Sequence, residues 1–378
     1  MRKKITRIGG YGMTVPFVDL PRQIRVFEPA VRDVFEEVVF DRADFIARQD
    51  LLDFEAAFAE FTGTQHAIGV ANGSDALNIC IKVLEIGPGD EVITVAHTFV
   101  ATVAAIVHAG ATPVLVDVAD DYNIDPDMVE AAITNRTKAI IPVHLNGRAC
   151  QMDSLMDIAN RHDLHVIEDS AQGIGATYDD RSAGSFGILS TNSFYPFKIM
   201  GCFGDGGMIT TNDDNLNVRL RCLRDNGQDR ATGEILFWGW NSRLDNLQAA
   251  ILTGMLEQLP QTIKHRRRIA ARYHTGLQGV GDLRVPSFSE ARQYDAFQNY
   301  VIRTKDRDSL LTHLDHNDVG TLVSWPTPTH RHPSLGLSHF ELPNTESISA
   351  EVVSLPMHPA LEDDEIDYVV TAIREHYG

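Results

Sequence analysis

Ser193-Phe194-Tyr195-Pro196-Phe197-Lys198 is followed within three residues by Gly201-Cys202-Phe203-Gly204-Asp205-Gly206-Gly207. Upstream, the apolar run His165-Val166-Ile167 ends in Glu168-Asp169-Ser170-Ala171-Gln172. Most lysines are solvated surface residues. Lys198 instead lies between Phe197 and Ile199-Met200, in a segment without helical amphipathicity. Desolvation there would lower its pKa and make the amine more nucleophilic. An acid closing a buried strand, followed by such a lysine, is the pair needed to hold pyridoxal 5'-phosphate. The amine forms an imine with the aldehyde, and the acid keeps the pyridine nitrogen protonated so that the ring accepts electrons.

Outward from this pair, short apolar runs alternate with helical patterns. Residues 67–70 read as a strand and 75–84 as a helix; Gly87-Pro88-Gly89-Asp90 turns the chain into a strand at 91–95. Residues 99–108 are helical, stopped by Gly110-Ala111-Thr112-Pro113. Runs at 114–117 and 139–143 add buried strands, and a helix at 152–161 separates the latter from 165–167. This alternation predicts an α/β fold with a mixed, mainly parallel sheet covered on both faces. Ligands in such sheets sit beyond the carboxyl ends of the strands, where Gly73, Phe99 and Asp169 fall. Phe194-Tyr195 and 208–211 read as strands flanking the lysine loop. A long helical stretch at 244–274, interrupted by Pro260, bridges to an α+β region with a strand at 300–302 and helices at 308–317 and 363–376. The expected division is a large domain over residues 1–250 and a smaller α+β carboxyl-terminal domain over 251–378.

The chain has 378 residues and a formal net charge of −19, which argues against a general nucleic-acid binder but not against a small phosphorylated ligand. No apolar run approaches the roughly 20 residues that span a bilayer. The basic start Met1-Arg2-Lys3-Lys4 runs into Gly9-Gly10-Tyr11-Gly12 rather than an apolar stretch, so no signal peptide and a cytoplasmic location are expected. Met13 offers an alternative start, with the first dozen residues a dispensable extension. The cysteines (Cys80, Cys150, Cys202, Cys222) form no C-x-x-C pair and read as free buried thiols. The histidines form no H-x-x-x-H pair on a convincing helix, so no metal is expected.

Four segments converge on the one cofactor. Asn72-Gly73-Ser74-Asp75 marks a strand-to-helix turn, where unpaired N–H groups and the helix dipole suit a phosphate; Ser74 is equally placed to be a plain N-cap. Phe99 is able to stack on a flat ring, with a core position as the bland alternative. Asp169 is the pyridine partner or else a helix cap. Gln172 is within reach of the ring hydroxyl. Ser193, five residues before Lys198, is a second phosphate ligand. The run 201–207 lacks a full G-x-G-x-x-G and reads as a turn needing positive φ beside the lysine, not as a nucleotide loop.

With these residues in hand, the chain resembles the DegT–StrS family of pyridoxal-phosphate-dependent nucleotide-sugar aminotransferases. The likeness runs from Phe17-Val18-Asp19-Leu20 to Leu355-Pro356-Met357-His358-Pro359, through Phe54-Glu55, His144, Asn241-Ser242-Arg243-Leu244-Asp245, Gln248-Ala249-Ala250 and Trp325-Pro326 with His330. It implies an aspartate-aminotransferase-like fold and a homodimer with active sites at the subunit interface. By it, Lys198 is the Schiff-base lysine, Asp169 the pyridine-nitrogen partner, Gln172 the ring-hydroxyl contact and Phe99 the stacking ring. Gly73, Ser74, Asp75 and Ser193 hold the phosphate, with Asn241 reaching it from the other subunit. Arg243 and His330 bind substrate. The implied reaction moves an amino group from an amino acid, glutamate, to a nucleotide-linked keto-sugar. Asn146 departs from the tyrosine usual in the family two residues after the histidine matching His144. Family members that act as sugar dehydratases replace the lysine with histidine, so Lys198 favours transamination over elimination and over a non-catalytic regulator on the same scaffold. Residues 122–126, 136–143 and 226–230 look like those of members that aminate C3.

Overall fold

The computed structural model describes residues 13–288 and 291–378. The amino-terminal extension and the leader expectation concern residues 1–12, outside that range. A seven-stranded sheet organises the chain, in the order His66–Val70, Gly207–Thr211, Leu189–Ser193, His165–Asp169, Thr137–Ile140, Glu91–Val95, Thr112–Val116. Gly207–Thr211 runs antiparallel to both neighbours, and the remaining pairings are parallel.

Alternate residues of each strand enter opposite cores, as the two-residue period of a pleated sheet requires. Ala67, Ile93, Ile140, Val166 and Met208 pack on one face with the helices Gln49–Thr62, Met152–His162 and the first half of Asn246–Leu277. Ile68, Val92, Ala139, Ile167 and Ile209 pack on the other with Gly73–Val83, Ala101–His108 and Asp214–Leu223. Burial on both faces is why these strands read as apolar runs instead of alternating patterns.

A third core gathers Tyr273, Tyr300, Leu310, Val353 and Ile373 around the antiparallel ribbon Tyr300–Arg303 and Val352–Leu355. It supports the proposal of a smaller carboxyl-terminal domain; the proposed boundary at 250/251 falls inside the helix that joins the two parts. That helix, Asn246–Leu277, is continuous through Pro260, contrary to the expected interruption. A proline inside a helix removes one backbone hydrogen bond and crowds the preceding turn. Here Leu256, Leu259 and Ile263 are buried on either side of it, and their packing holds the helix together.

The strand expected at Phe194-Tyr195 is corrected to Leu189–Ser193. The sequence Leu-Ser-Thr-Asn-Ser looks polar yet is wholly buried, because hydroxyls find internal acceptors: Ser190 Oγ donates to Ser170 Oγ at 3.2 Å and Thr191 Oγ1 to the Glu168 carbonyl at 3.3 Å. Phe194, just past the strand, adds one more hydrogen bond (N–H to the Gly206 carbonyl, 2.8 Å) and sets its ring against Phe54 at 5.5 Å and Phe58 at 5.6 Å, both edge-on. This aromatic triad anchors the start of the lysine loop. Phe194→Ala should lower unfolding stability by about 3–5 kcal/mol, the usual cost of deleting a buried ring. Denaturant titration checks it; a loss below about 1 kcal/mol, the size of an ordinary substitution, would show that the loop is anchored elsewhere.

Candidate active site

Asp169 ends its strand, 5% exposed, with no helix following it, so it is not a helix cap. Thr102 Oγ1 donates to Asp169 Oδ2 at 2.8 Å, and the Ala171 N–H donates to Oδ1 at 3.2 Å. Its backbone is tied into the neighbouring strand's extension, through Asp169 N to the Pro142 carbonyl (2.9 Å) and His144 N to the Asp169 carbonyl (3.0 Å).

The preceding Glu168 points the other way and is fully buried. Its carboxylate accepts from His144 Nε2 at 2.8 Å and from the N–H groups of Gly184, Phe186 and Gly187 at 2.7 Å each. His144 Nδ1 accepts from the Cys150 N–H at 3.1 Å, which fixes the tautomer with the proton on Nε2. A buried charge with four donors is satisfied. The pair is therefore a brace under the strand end. His144 entered the sequence reading only as a family motif; nothing local in the sequence pairs it with Glu168.

Lys198 sits in a tight turn, its N–H donating to the Tyr195 carbonyl at 2.8 Å. Gln298 clamps both flanking peptides: Ile199 N–H donates to its Oε1 and its Nε2 donates to the Phe197 carbonyl, each at 2.8 Å. The sequence reading missed Gln298, which is a hundred residues away in the chain. Gly201 is required by close approach, since a Cβ there would lie 2.6 Å from the Pro196 carbonyl oxygen. Burial lowers the Lys198 amine to about 8 from its ordinary 10.5, and the nearby Asp169 charge partly opposes that fall.

At the opposite rim, Asn72 is the N-cap of helix Gly73–Val83: its Oδ1 accepts from the Asp75 N–H at 2.8 Å. The cap reading offered for Ser74 is thus corrected; Ser74 lies inside the first turn. The Asp75 N–H is taken by the cap, while those of Gly73 and Ser74 have no helical partner, as at any helix start. Gly73 packs so closely on Ser193 that a Cβ would stand 2.9 Å from the Ser193 Cβ. Phe99 is 60% exposed, which removes the core alternative, and its neighbour Thr102 is the residue that holds Asp169. Gln172 Oε1 accepts from the Asn146 N–H at 2.8 Å. Asn146 has φ 57°, a left-handed conformation that asparagine adopts more readily than tyrosine.

The structure thus brings together Gly73, Ser74, Phe99, Asp169, Gln172, Ser193 and Lys198 at the carboxyl ends of adjoining strands. Asn241 and Arg243 lie on a separate segment: Arg243 Nη1 donates to Asp225 Oδ1 at 2.6 Å and opens into a cavity of about 380 Å³ that Lys198 does not line. His330 is fully buried, its Nε2 3.2 Å from Glu346 Oε1, holding the turn Thr329–Arg331 to the helix Pro343–Glu351. All four cysteines are free and buried. Among the described residues no helix is long and apolar enough to cross a membrane.

Pyridoxal phosphate fits these residues. The first two N–H groups of helix Gly73–Val83 have no helical partner, the hydroxyl of Ser193 lies against Gly73, Phe99 is exposed, and the Asp169 carboxylate acts on a desolvated Lys198 amine. The amine predicts a pH signature. Loading of the coenzyme-free protein with the aldehyde should speed up as pH rises, with a midpoint near 8. Asp169→Asn removes the charge that favours the ammonium form, so its midpoint should move lower; stopped-flow absorbance measures both. An unmoved or higher midpoint in Asp169→Asn would contradict the assigned electrostatics.

Known proteins resemble this chain over nearly its whole length. A model of the DegT/DnrJ/EryC1/StrS aminotransferase family matches residues 35–374. A "Pleiotropic regulatory protein" of Geobacillus stearothermophilus is 43% identical over 97% of this chain and 99% of its own length. A dTDP-3-amino-3,4,6-trideoxy-alpha-D-glucose transaminase of Streptomyces venezuelae is 40% identical over 96% of each chain. The crystal structure of S. venezuelae DesV in complex with a ketimine intermediate superposes with a TM-score of 0.92 at 40% identity, covering 96% of this chain and 98% of that one. Matched over nearly its whole length, this chain belongs to the DegT/DnrJ/EryC1/StrS aminotransferase family.

Proposed function

We propose that the protein is a pyridoxal-phosphate-dependent aminotransferase that moves the amino group of an amino acid, with glutamate as donor, to the ketone of a nucleotide-linked sugar, in amino-sugar biosynthesis. The observation that carries the reading is the desolvated Lys198 amine beside Asp169, at the strand ends that also carry a phosphate cradle.

Each residue has a task that follows from its place. Gly73, Ser74 and Ser193 hold the phosphate and fix the coenzyme's position. Asp169, held by Thr102, keeps the pyridine nitrogen protonated, and Phe99 covers the ring. Gln172, oriented by Asn146, meets the ring hydroxyl. When bound, the coenzyme supplies an electron sink for the bonds of the substrate's amino-bearing carbon. With the coenzyme bound, Lys198 would take the proton from the donor's α-carbon; with an amine pKa near 8, enough of it is neutral at pH 7–8 to act as base. In the second half of the cycle it returns a proton to the sugar carbon that receives nitrogen.

We further propose that the enzyme works as a homodimer. Phe40, Phe99 and Trp238 expose 68%, 60% and 93% of their surface in one chain, more than an aromatic side chain normally gives to water. Asn241 and Arg243, which lie apart from Lys198 within one chain, are then donated across the interface. A cytoplasmic location agrees with four unpaired buried thiols. The "Pleiotropic regulatory protein" relative does not favour a regulatory reading here, since Lys198, Asp169 and the cradle are all present.

With glutamate and a panel of dTDP- and UDP-linked 3-keto-sugars, the wild-type protein should yield 2-oxoglutarate and an amino sugar. Lys198→Ala should lose turnover by at least about 10³-fold, the order of effect for a residue that acts as acid and base. Mass spectrometry of the sugar product checks both. A dehydrated sugar without nitrogen, or full turnover in Lys198→Ala, would overturn the reading.

A further inference from the structure

The segment that carries Asn241 and Arg243 is held by one buried acid that the sequence reading passed over. Residues 240–242 form a short antiparallel ribbon with 223–226: Trp240 N–H donates to the Leu223 carbonyl at 2.7 Å, Asn226 N–H to the Trp240 carbonyl at 2.7 Å and Ser242 N–H to the Arg224 carbonyl at 2.9 Å. Asp225 is the residue bridged to Asn241 in that ribbon and is 5% exposed. Its Oδ1 accepts from Arg243 Nη1 at 2.6 Å, and its Oδ2 accepts from Arg230 Nε at 2.5 Å. Burial pushes the Asp225 carboxyl up, but the two guanidinium groups outweigh it and hold it below the usual carboxylate range.

This arrangement leaves Arg243 incompletely used. Its Nε is buried with no hydrogen-bond partner, a state that costs stability unless something completes it. The cavity of about 380 Å³ beside it is lined by five arginines, among them Arg48, Arg230 and Arg243, against the two acids Asp225 and Asp229. Arg221 and Arg224 are ion-paired with Glu55 and Arg48 with Asp44, so the donor left for an anion here is the unpartnered Nε of Arg243. Both substrates of the reaction bring an anion: the amino donor a carboxylate, the acceptor a diphosphate.

We propose that Asp225 is the positioning residue of the interface arm, setting the guanidinium of Arg243 so that it meets an anionic group of substrate in the active site of the second copy. The claim rests on the aminotransferase dimer proposed above. Asp225 touches no substrate. It acts by fixing the direction of Arg243, while Arg230 neutralises the acid's remaining oxygen.

Mixed dimers test this. Chains carrying Asp225→Asn and Lys198→Ala are given different tags and purified as the heterodimer. Its single lysine-bearing site then lies in the Asp225→Asn chain and takes its arm from the chain whose Asp225 is intact. Asp225→Asn homodimers should raise KM about tenfold or more for the substrate that Arg243 meets, as loss of a charge-assisted hydrogen bond does, with kcat nearly unchanged. A rise for glutamate identifies the carboxylate; a rise for the nucleotide sugar identifies the acceptor's anion. The heterodimer should recover the wild-type KM at half the wild-type kcat. Asp225→Glu, which keeps the charge but displaces it, should raise KM less, and it replaces the Asn variant if that chain does not fold. Unchanged KM for both substrates, or a heterodimer that retains the raised KM, would overturn the proposal. A wild-type protein that accepts no amino group at all would instead sink the aminotransferase reading.

Discussion

The chemistry depends on a balance between two effects acting on one amine. Burial strips water from the Lys198 ammonium and favours the neutral form; the Asp169 carboxylate favours the charged one. The first effect prevails and leaves the amine near 8. A fully hydrated lysine would be almost wholly protonated at neutral pH and a poor nucleophile, whereas one buried without an opposing charge would give up its role as an acid. The fold places both groups by the same means, at the carboxyl ends of two parallel neighbouring strands: Asp169 is the last residue of His165–Asp169, and Lys198 lies on the turn after Leu189–Ser193.

Around this pair the protein uses hydrogen bonds that do no chemistry. Glu168 and His144 lock the strand end from beneath, Thr102 holds the Asp169 carboxylate, and Gln298 grips the peptides on both sides of Lys198. Gln298 sits next to Phe297, part of the carboxyl-terminal core, so the lysine loop is joined to that core as well as to the sheet. The segment 240–243 follows the same logic, with Asp225 holding Arg243 by a charge-assisted bond.

Much of this was legible in the residues, and the failures have physical causes. The parallel strands stood out because burial on both faces demands unbroken apolar runs, as in Glu91–Val95. Leu189–Ser193 did not, because its hydroxyls are satisfied internally and look polar in sequence. The aromatic pair Phe194-Tyr195 imitated a strand while Phe194 belongs to the triad with Phe54 and Phe58. The helix Leu20–Phe35 was passed over: it contains Pro29 and no fully buried residue. Pro260 misled in the opposite sense. At the site, Lys198, Asp169 and the Gly73–Ser193 approach followed from motif and position. Asn72 as the cap is a local contact with Asp75, in the same turn as the Ser74 expected; Gln298 as the clamp and Asp225 as the brace depend on contacts between separated segments, which one sequence does not display.

The assigned chemistry requires that one side chain, Lys198, carry the coenzyme. The most direct measurement is borohydride reduction of the protein loaded with pyridoxal phosphate, followed by digestion and peptide mass mapping. One stoichiometric pyridoxyl adduct is expected, on the peptide containing Lys198. An adduct on another lysine, or no adduct on a protein that turns over, would contradict it.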